Sequence, residues 1–140
     1  MREILFKAKE IYNSDEWFEG FYTKFKEHDY IVQDKTSSIY EINPKTVCQY
    51  IGINDIHNEK IYENDIVRCI EEGYAPNEFI GVVVFHEGCF MIRYEKYNKF
   101  RYHKINESYK FKDMQACVTI TYKYEKIGNV FDNPELLERR

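Results

Sequence analysis

Between Gln49 and Val67 the chain runs Q-Y-I-G-I-N-D-I-H-N-E-K-I-Y-E-N-D-I-V, and two turn signals inside it rule out a long helix. Ile53-Asn54-Asp55 with His57-Asn58 is the first, and Glu63-Asn64-Asp65 is the second. Asn and Asp side chains in such clusters bond their own backbone and interrupt regular structure. The apolar pieces beside them, Ile61-Tyr62 and Ile66-Val67, read as strand entries. A chain that must reverse twice in so short a span is built for short strands.

The same rhythm continues on either side. Ile4, Phe6 and Ala8 alternate along a first strand. Trp17-Phe18-Glu19-Gly20-Phe21-Tyr22 makes a second after the turn at Asn13-Ser14-Asp15. Tyr30-Ile31-Val32 and Ile39-Tyr40-Glu41-Ile42 follow as a third and fourth, so residues 1–43 read as a β meander. At Asn43-Pro44-Lys45-Thr46 the pattern breaks, because Pro44 cannot donate to a ladder and restricts Asn43. That is the expected seam between 1–43 and 44–140 within a single domain of 140 residues.

Beyond the turns, Ile61 to Ile70 reads as a strand interrupted at Asn64, and Glu71 to Asn77 as a loop. Phe79 to Phe85 is apolar throughout, as expected of a central strand covered on both faces. His86-Glu87-Gly88 turns the chain into a strand from Cys89 to Tyr94, with Phe100 to His103 as its hairpin partner. Met114 to Tyr124 is a further long strand, and Glu125 to Phe131 a last piece around Gly128. Asn133-Pro134-Glu135-Leu136-Leu137 reads as a short C-terminal helix with Asn133 as N-cap and Pro134 at the first position.

Composition agrees with a mainly β chain. Aromatic residues reach 17%, with 13 Tyr and 10 Phe, and these favour strands. The net charge of -4 argues against a general affinity for nucleic acid or acidic membranes, though a local patch can reverse the average. Cys48, Cys69, Cys89 and Cys117 have neither zinc-knuckle nor redox spacing, so all four are expected to be buried, reduced thiols. Met1-Arg2-Glu3 does not look like a secretory start, and the longest apolar run is too short to span a bilayer. The expectation is a cytoplasmic protein without membrane contact.

The organising stretch resembles the YopX family of bacteriophage and prophage proteins, whose pattern is Q-Y-T-G-L-x-D-x-x-G-x-x-I-Y-E-G-D-I-V. Gln49, Tyr50, Gly52, Asp55, Ile61, Tyr62, Glu63, Asp65, Ile66 and Val67 match it in register. A second block, Ile127-Gly128-Asn129-Val130-Phe131-Asp132-Asn133-Pro134-Glu135-Leu136-Leu137, is similar to the family's closing I-G-N-I-Y-E-N-P-E-L-L. Met1-Arg2-Glu3-Ile4 and Phe6-Lys7-Ala8 are similar to its opening. Asn58 and Asn64 stand where the family has Gly, and Ile51 where it has Thr. Asn is the ordinary residue that most readily takes positive φ, so left-handed backbone is expected at both asparagines. The resemblance implies a phage-derived protein with a small SH3-like β-barrel in its C-terminal part, and it implies no known enzymatic activity or cofactor.

The candidate chemistry is sparse. Asp55, His57 and Glu59 could ligate a metal from one loop, with Glu63 and Asp65 nearby, but the same residues suit a hydrated turn whose Asp caps its own backbone. No metal site is expected. His28, His57, His86 and His103 are scattered and show no nucleophile logic, so no catalytic residue is named. The segment Arg93 to Lys104 holds five Lys or Arg against one acid, interleaved with rings. Pairing Tyr94 with Phe100 and Ile92 with Tyr102 gives a five-residue loop and sets Arg93 opposite Arg101, where a phosphate would relieve their repulsion. Arg93, Lys96, Tyr97, Lys99, Arg101 and Lys104 are therefore the candidate nucleic-acid contacts. The alternative is that Tyr94, Phe100 and Tyr102 are core and the cations a solvated face.

Two functions follow. The first is a non-enzymatic phage accessory protein that binds another protein or itself through strand edges and aromatic surface. The second is a nucleic-acid-binding protein that uses the hairpin. An enzyme is a third and lesser reading, which requires a cleft joining His57, His86 or His103 to a carboxylate or a cysteine.

Overall fold

Alternating apolar and polar residues, punctuated by Asn, Asp and Gly, fold as two antiparallel sheets. The computed structural model describes residues 2–12, 15–73, 77–106, 109–112 and 117–138, with backbone alone at 109–112, 117 and 118. Contacts divide the chain into two units, Met1–Ile53 and Asn54–Arg140.

The first unit contains β1 (Phe6–Lys9), β2 (Trp17–Phe25), β3 (His28–Val32), β4 (Ile39–Glu41) and β5 (Cys48–Asn54), in the sheet order β4-β3-β2-β1-β5. Ala8, Ile31 and Ile42 form its core, with Phe6, Phe18, Tyr22, Tyr40 and Val47 packed around them. Phe18 and Tyr40 stack with centroids 3.7 Å apart. Gly20 is required by space: a Cβ there would lie 2.3 Å from the Val32 carbonyl oxygen. Inside this unit the buried Asp29 carboxylate accepts a hydrogen bond from the Tyr22 hydroxyl, and that bond, aided by burial, lifts the Tyr22 pKa above its ordinary value. Pro44–Thr46, read above as a seam, forms a 3-10 turn capped by the Asn43 side chain, and the Thr46 hydroxyl accepts the Lys9 N–H at 2.9 Å. β5 spans Cys48–Asn54, a stretch to which the sequence assigns no strand and whose last two residues, Ile53 and Asn54, open the first turn signal.

In the second unit β6 (Lys60–Tyr62) leads into β7 (Asp65–Glu72), β8 (Asn77–His86), β9 (Cys89–Lys96), β10 (Lys99–Lys104), β11 (Tyr109–Lys112) and β12 (Cys117–Asn129). The sheet order is β10-β9-β8-β7-β12-β11. Its core comes from Val67, Cys69, Val83, Ile92 and Tyr124. The expected SH3-like barrel does not close: β10 and β11 are the sheet's two ends, and among the described residues no ladder joins them. The sheet is nevertheless strongly coiled, because His103 of β10 reaches Tyr124 of β12 with Nε2 2.8 Å from its hydroxyl oxygen.

Other expectations also need correction. β8 is central, yet only Gly81, Val82 and Val83 are buried, and Phe85 is 58% exposed because it lies near the hairpin end. β12 runs unbroken past Glu125, with a register shift between Lys126 and Gly128. The C-terminal helix is a single 3-10 turn, Pro134–Leu137, and Asn133 does not cap it. Its Oδ1 accepts the Asn129 N–H instead, in space that a Cβ on Gly128 would invade at 2.6 Å. Cys48 and Cys69 are buried, and burial pushes the Cys69 thiol far above its usual pKa. Cys89 is exposed because it follows a tight turn at the sheet's end. The Cys117 side chain and the proposed strand start at Met114 to Ala116 lie outside the described residues.

Three hairpins share one device. β2–β3, β8–β9 and β9–β10 are joined by two residues with positive φ at both, Lys26 and Glu27, Glu87 and Gly88, Tyr97 and Asn98. This turn matches strand twist but penalises side chains such as Lys, Glu and Tyr. Replacing Lys26→Asn together with Glu27→Gly is expected to stabilise the first unit by about 1 kcal/mol. The measurement is a higher urea midpoint at unchanged slope.

Candidate functional site

The first of the turns that organise the sequence is held by one carboxylate. Asp55, 8% exposed, accepts the N–H groups of His57 and Glu59 on Oδ1, both at 2.9 Å, and that of Lys126 on Oδ2 at 2.9 Å. Burial alone would raise its pKa, but the three N–H donors prevail and hold the carboxyl below the ordinary aspartate value. Asn58 (φ 62°) and Asn64 (φ 71°) are both left-handed, as expected of residues standing in for glycine. Asn64 ties the sheet together through its backbone, donating to the Val83 carbonyl at 2.8 Å and accepting from the Val130 N–H at 3.0 Å.

The remaining motif residues extend this packing. Asp65, fully buried, accepts the Tyr62 N–H at 2.8 Å and lies 3.4 Å from the Lys126 ammonium. That ammonium also donates to the Lys60 carbonyl at 3.1 Å and sits over the buried Tyr62 ring. Gly52 has φ +96° with open space around it, so backbone conformation alone calls for glycine there. The Tyr50 N–H pairs with the Leu5 carbonyl, within the first unit. The Asn129 side chain accepts the N–H groups of Phe131 and Asp132, which folds the closing block back past Gly128 to Asn133 and Pro134. The motif is a packing device.

This arrangement engages Asp55, His57 and Asp65 among the candidate metal ligands. Asp55 faces the backbone, and the exposed His57 pairs through Nε2 with Glu125 at 3.1 Å, which is the main reason its pKa is raised. Among the described residues no group of three or more His, Cys, Asp or Glu is placed to hold a metal ion. His28 pairs with Glu41 in the first unit, and His86 stacks on Tyr102 at 3.8 Å. His103 borders a cleft with Glu71, Glu78 and Glu95, while its Nε2 is engaged by the Tyr124 hydroxyl.

The basic hairpin is present but in another register. Ile92 pairs with His103, Arg93 with Tyr102, Tyr94 with Arg101 and Lys96 with Lys99, across the two-residue turn Tyr97-Asn98. Arg93 and Arg101 therefore point to opposite faces, and the shared phosphate between them is ruled out. The shift places His103 inside at 8% exposed and turns Phe100 and Tyr102 outward. These two rings are not core, contrary to the alternative given above: Phe100 is 62% exposed and Tyr102 41%. The outer face thus gathers Arg93, Glu95, Phe100, Tyr102 and Lys104, with Glu95 paired across from Phe100 and the Arg93 guanidinium 4.8 Å from the Phe100 ring centre. Lys96, Lys99 and Arg101 lie on the other face, and Tyr97 projects from the turn at 79% exposed.

Sequence reading passed over Lys126 and Tyr124. Their signal is period-two alternation: Tyr122, Tyr124 and Lys126 fall on one side of β12, so a cation shares the inward row with two rings.

Two outcomes test the carboxylate's role. Asp55→Asn would set an amide N–H against a backbone N–H on one side of the turn, and about 2–3 kcal/mol of the second unit's stability is expected to be lost in denaturant titration. Because the folded pKa is depressed, this contribution is present above the unfolded value near 3.8 and is lost as pH falls through the folded one. His57 has the opposite sign. The stability from its pairing is complete below 6.5 and disappears as pH rises through its raised pKa, so His57→Gln is expected to flatten the profile there.

Among curated proteins, none matches this sequence. Of the described residues, no helix is long and apolar enough to cross a membrane. Compared with protein-family profiles, residues 4–138 match the one described as YopX protein. With the turn asparagines, the buried Asp55 and Asp65 and the closing Gly128–Asn133 contact accounting for the shared motif, the chain belongs to the YopX protein family.

Proposed function

We propose that this protein is a phage- or prophage-encoded accessory protein, acting in the cytoplasm of a bacterial host as a non-enzymatic binding module. Its contact surface is the outer face of the β9–β10 hairpin, and the ligand class that suits that face is single-stranded nucleic acid. One observation carries the reading: Phe100 and Tyr102 are exposed on the same face as Arg93 and Lys104. Bases of any identity can stack on exposed rings while the cations track phosphates, at about 1–3 kcal/mol per stacked base. Tyr97 at the tip, with the Lys96 ammonium 5.4 Å from its ring centre, extends the same chemistry. The non-enzymatic part is supported by what the motif carboxylates and His57 bind, namely backbone N–H groups and Glu125.

The experiment is a titration of labelled single-stranded oligonucleotide at two salt concentrations. Binding is expected at low salt and is expected to weaken steeply at high salt. Phe100→Ala with Tyr102→Ala is expected to weaken it by at least about tenfold while leaving the urea midpoint unchanged. Absence of binding at low salt, or indifference to this double change, would return the hairpin to the alternative of a surface for a protein partner or a second copy.

A further inference from the structure

The inner face of the same hairpin gathers other groups. Coiling of the second sheet brings Phe79 (β8), Tyr94 (β9), His103 (β10) and Tyr122 (β12) around one cleft of about 340 Å³. That volume falls within the roughly 300–1,000 Å³ of small-molecule sites. The rings are contiguous. Phe79 and Tyr94 stack at 4.0 Å, His103 meets Phe79 edge-on at 5.7 Å, and Tyr122 meets His103 edge-on at 4.3 Å. Phe79, Tyr94 and Tyr122 are only half-buried, so this aromatic wall is open to solvent.

Strand alternation decides which charges share the wall. Arg101 stands opposite Tyr94, and Lys96 opposite Lys99, so three cations belong to the cleft's side of the hairpin. Lys96 also lines the cleft. Glu78, opposite Ile70, and Glu95, opposite Phe100, belong to the other face. That leaves Glu71 as the one lining carboxylate on this side, flanked in the ladders by Tyr122 and Asn77. Lys96 and Lys99 repel each other as cross-strand neighbours, and among the described residues neither Lys99 nor Arg101 forms an ion pair. An anion seated there relieves the repulsion.

A ligand matched to this side needs a flat body for the rings, an anion for the cations and a polar edge for Glu71 and Asn77. A nucleotide has all three. Its base stacks on Tyr and Phe rings, and its phosphate takes charge-assisted hydrogen bonds from Arg101 and Lys96. The base edge offers N–H donors to the Glu71 carboxylate. Guanine suits that carboxylate best, because its N1–H and its amino group lie side by side and meet both oxygens. A simple anion would meet only repulsion from Glu71, and a phosphorylated tyrosine has no donor edge to satisfy it.

We infer that the Phe79–Tyr94–Tyr122 cleft, with Glu71 for the base edge and Arg101 and Lys96 for the phosphate, is a binding site for a single nucleotide, preferentially a guanine nucleotide. The inference goes beyond the reading of the outer face and does not depend on it, because the two sets of rings lie on opposite faces of the hairpin.

The test is a nuclear magnetic resonance titration of the full chain with guanosine 5′-monophosphate, guanosine and ribose 5-phosphate. Saturable shifts of the Tyr94 and Tyr122 ring signals are expected with the first. Guanosine is expected to bind about tenfold more weakly, and ribose 5-phosphate to leave the rings unmoved. Arg101→Ala is expected to weaken the monophosphate about tenfold and to leave guanosine unchanged, a split that misfolding would not produce. Glu71→Gln is expected to remove the preference over uridine 5′-monophosphate. If that variant does not fold, inosine 5′-monophosphate, which lacks the amino group, gives the same reading on the unaltered chain by binding more weakly. Phe100→Ala with Tyr102→Ala is expected to leave the monophosphate's affinity intact, so the two faces fail separately. Displacement of the monophosphate by a 5′-phosphorylated oligonucleotide beginning with guanine identifies a strand end as the source of the nucleotide, and lack of displacement identifies the free nucleotide. Absence of saturable shifts, equal binding of ribose 5-phosphate, or full affinity in Arg101→Ala would overturn the site.

Discussion

A carboxylate that sees almost no water organises the second unit. Asp55 cannot be left without donors at that depth, and three backbone N–H groups supply them. Two of the donors lie in its own turn, so the bond shapes residues 55–59. The third belongs to Lys126, far along the chain, so the same side chain also sets where β12 passes. A turn and a long-range strand position are thus specified by one group. Lys126 then turns its ammonium to Asp65, Lys60 and Tyr62, and the second turn is held against the same strand.

This explains why turns were legible in the sequence and register was not. Asn58 and Asn64 announce left-handed backbone by residue type, and both adopt it. The apolar runs that became β1 to β4 and β7 to β10 are visible because strands alternate or are bounded by polar residues. Tyr97 gives no such announcement. A tyrosine with positive φ is rare, so the sequence favours a longer loop at 95–99, and the whole pairing of β10 shifts by one residue. What decides the register is distant: His103 is drawn inside by Tyr124 and the rings of Tyr122 and Phe79.

β5 went unseen for a related reason. Its Gly52 has positive φ within an extended segment, and the turn residues after it dominate the local signal. The barrel expectation does not hold, because among the described residues the second sheet has two free ends. Side chains of β10 and β12 do meet across the concave face, yet the backbone ladder that would seal the sheet is missing among the described residues. Asn133 shows the same limit at small scale: a good capping residue by type, it is claimed by Asn129 and by the gap at Gly128.

β7 and β12 are partners along most of their length, although β8, β9, β10 and β11 all lie between them in the chain. The β8–β9 and β9–β10 hairpins need only close two-residue links, which is a microsecond event, whereas this pairing must span the entire intervening polypeptide. The entropy of closing so long a loop grows only slowly with its length, so the toll falls on timing more than on final stability. During synthesis the inner edge of β7 stays bare until the last strand of the unit has left the ribosome.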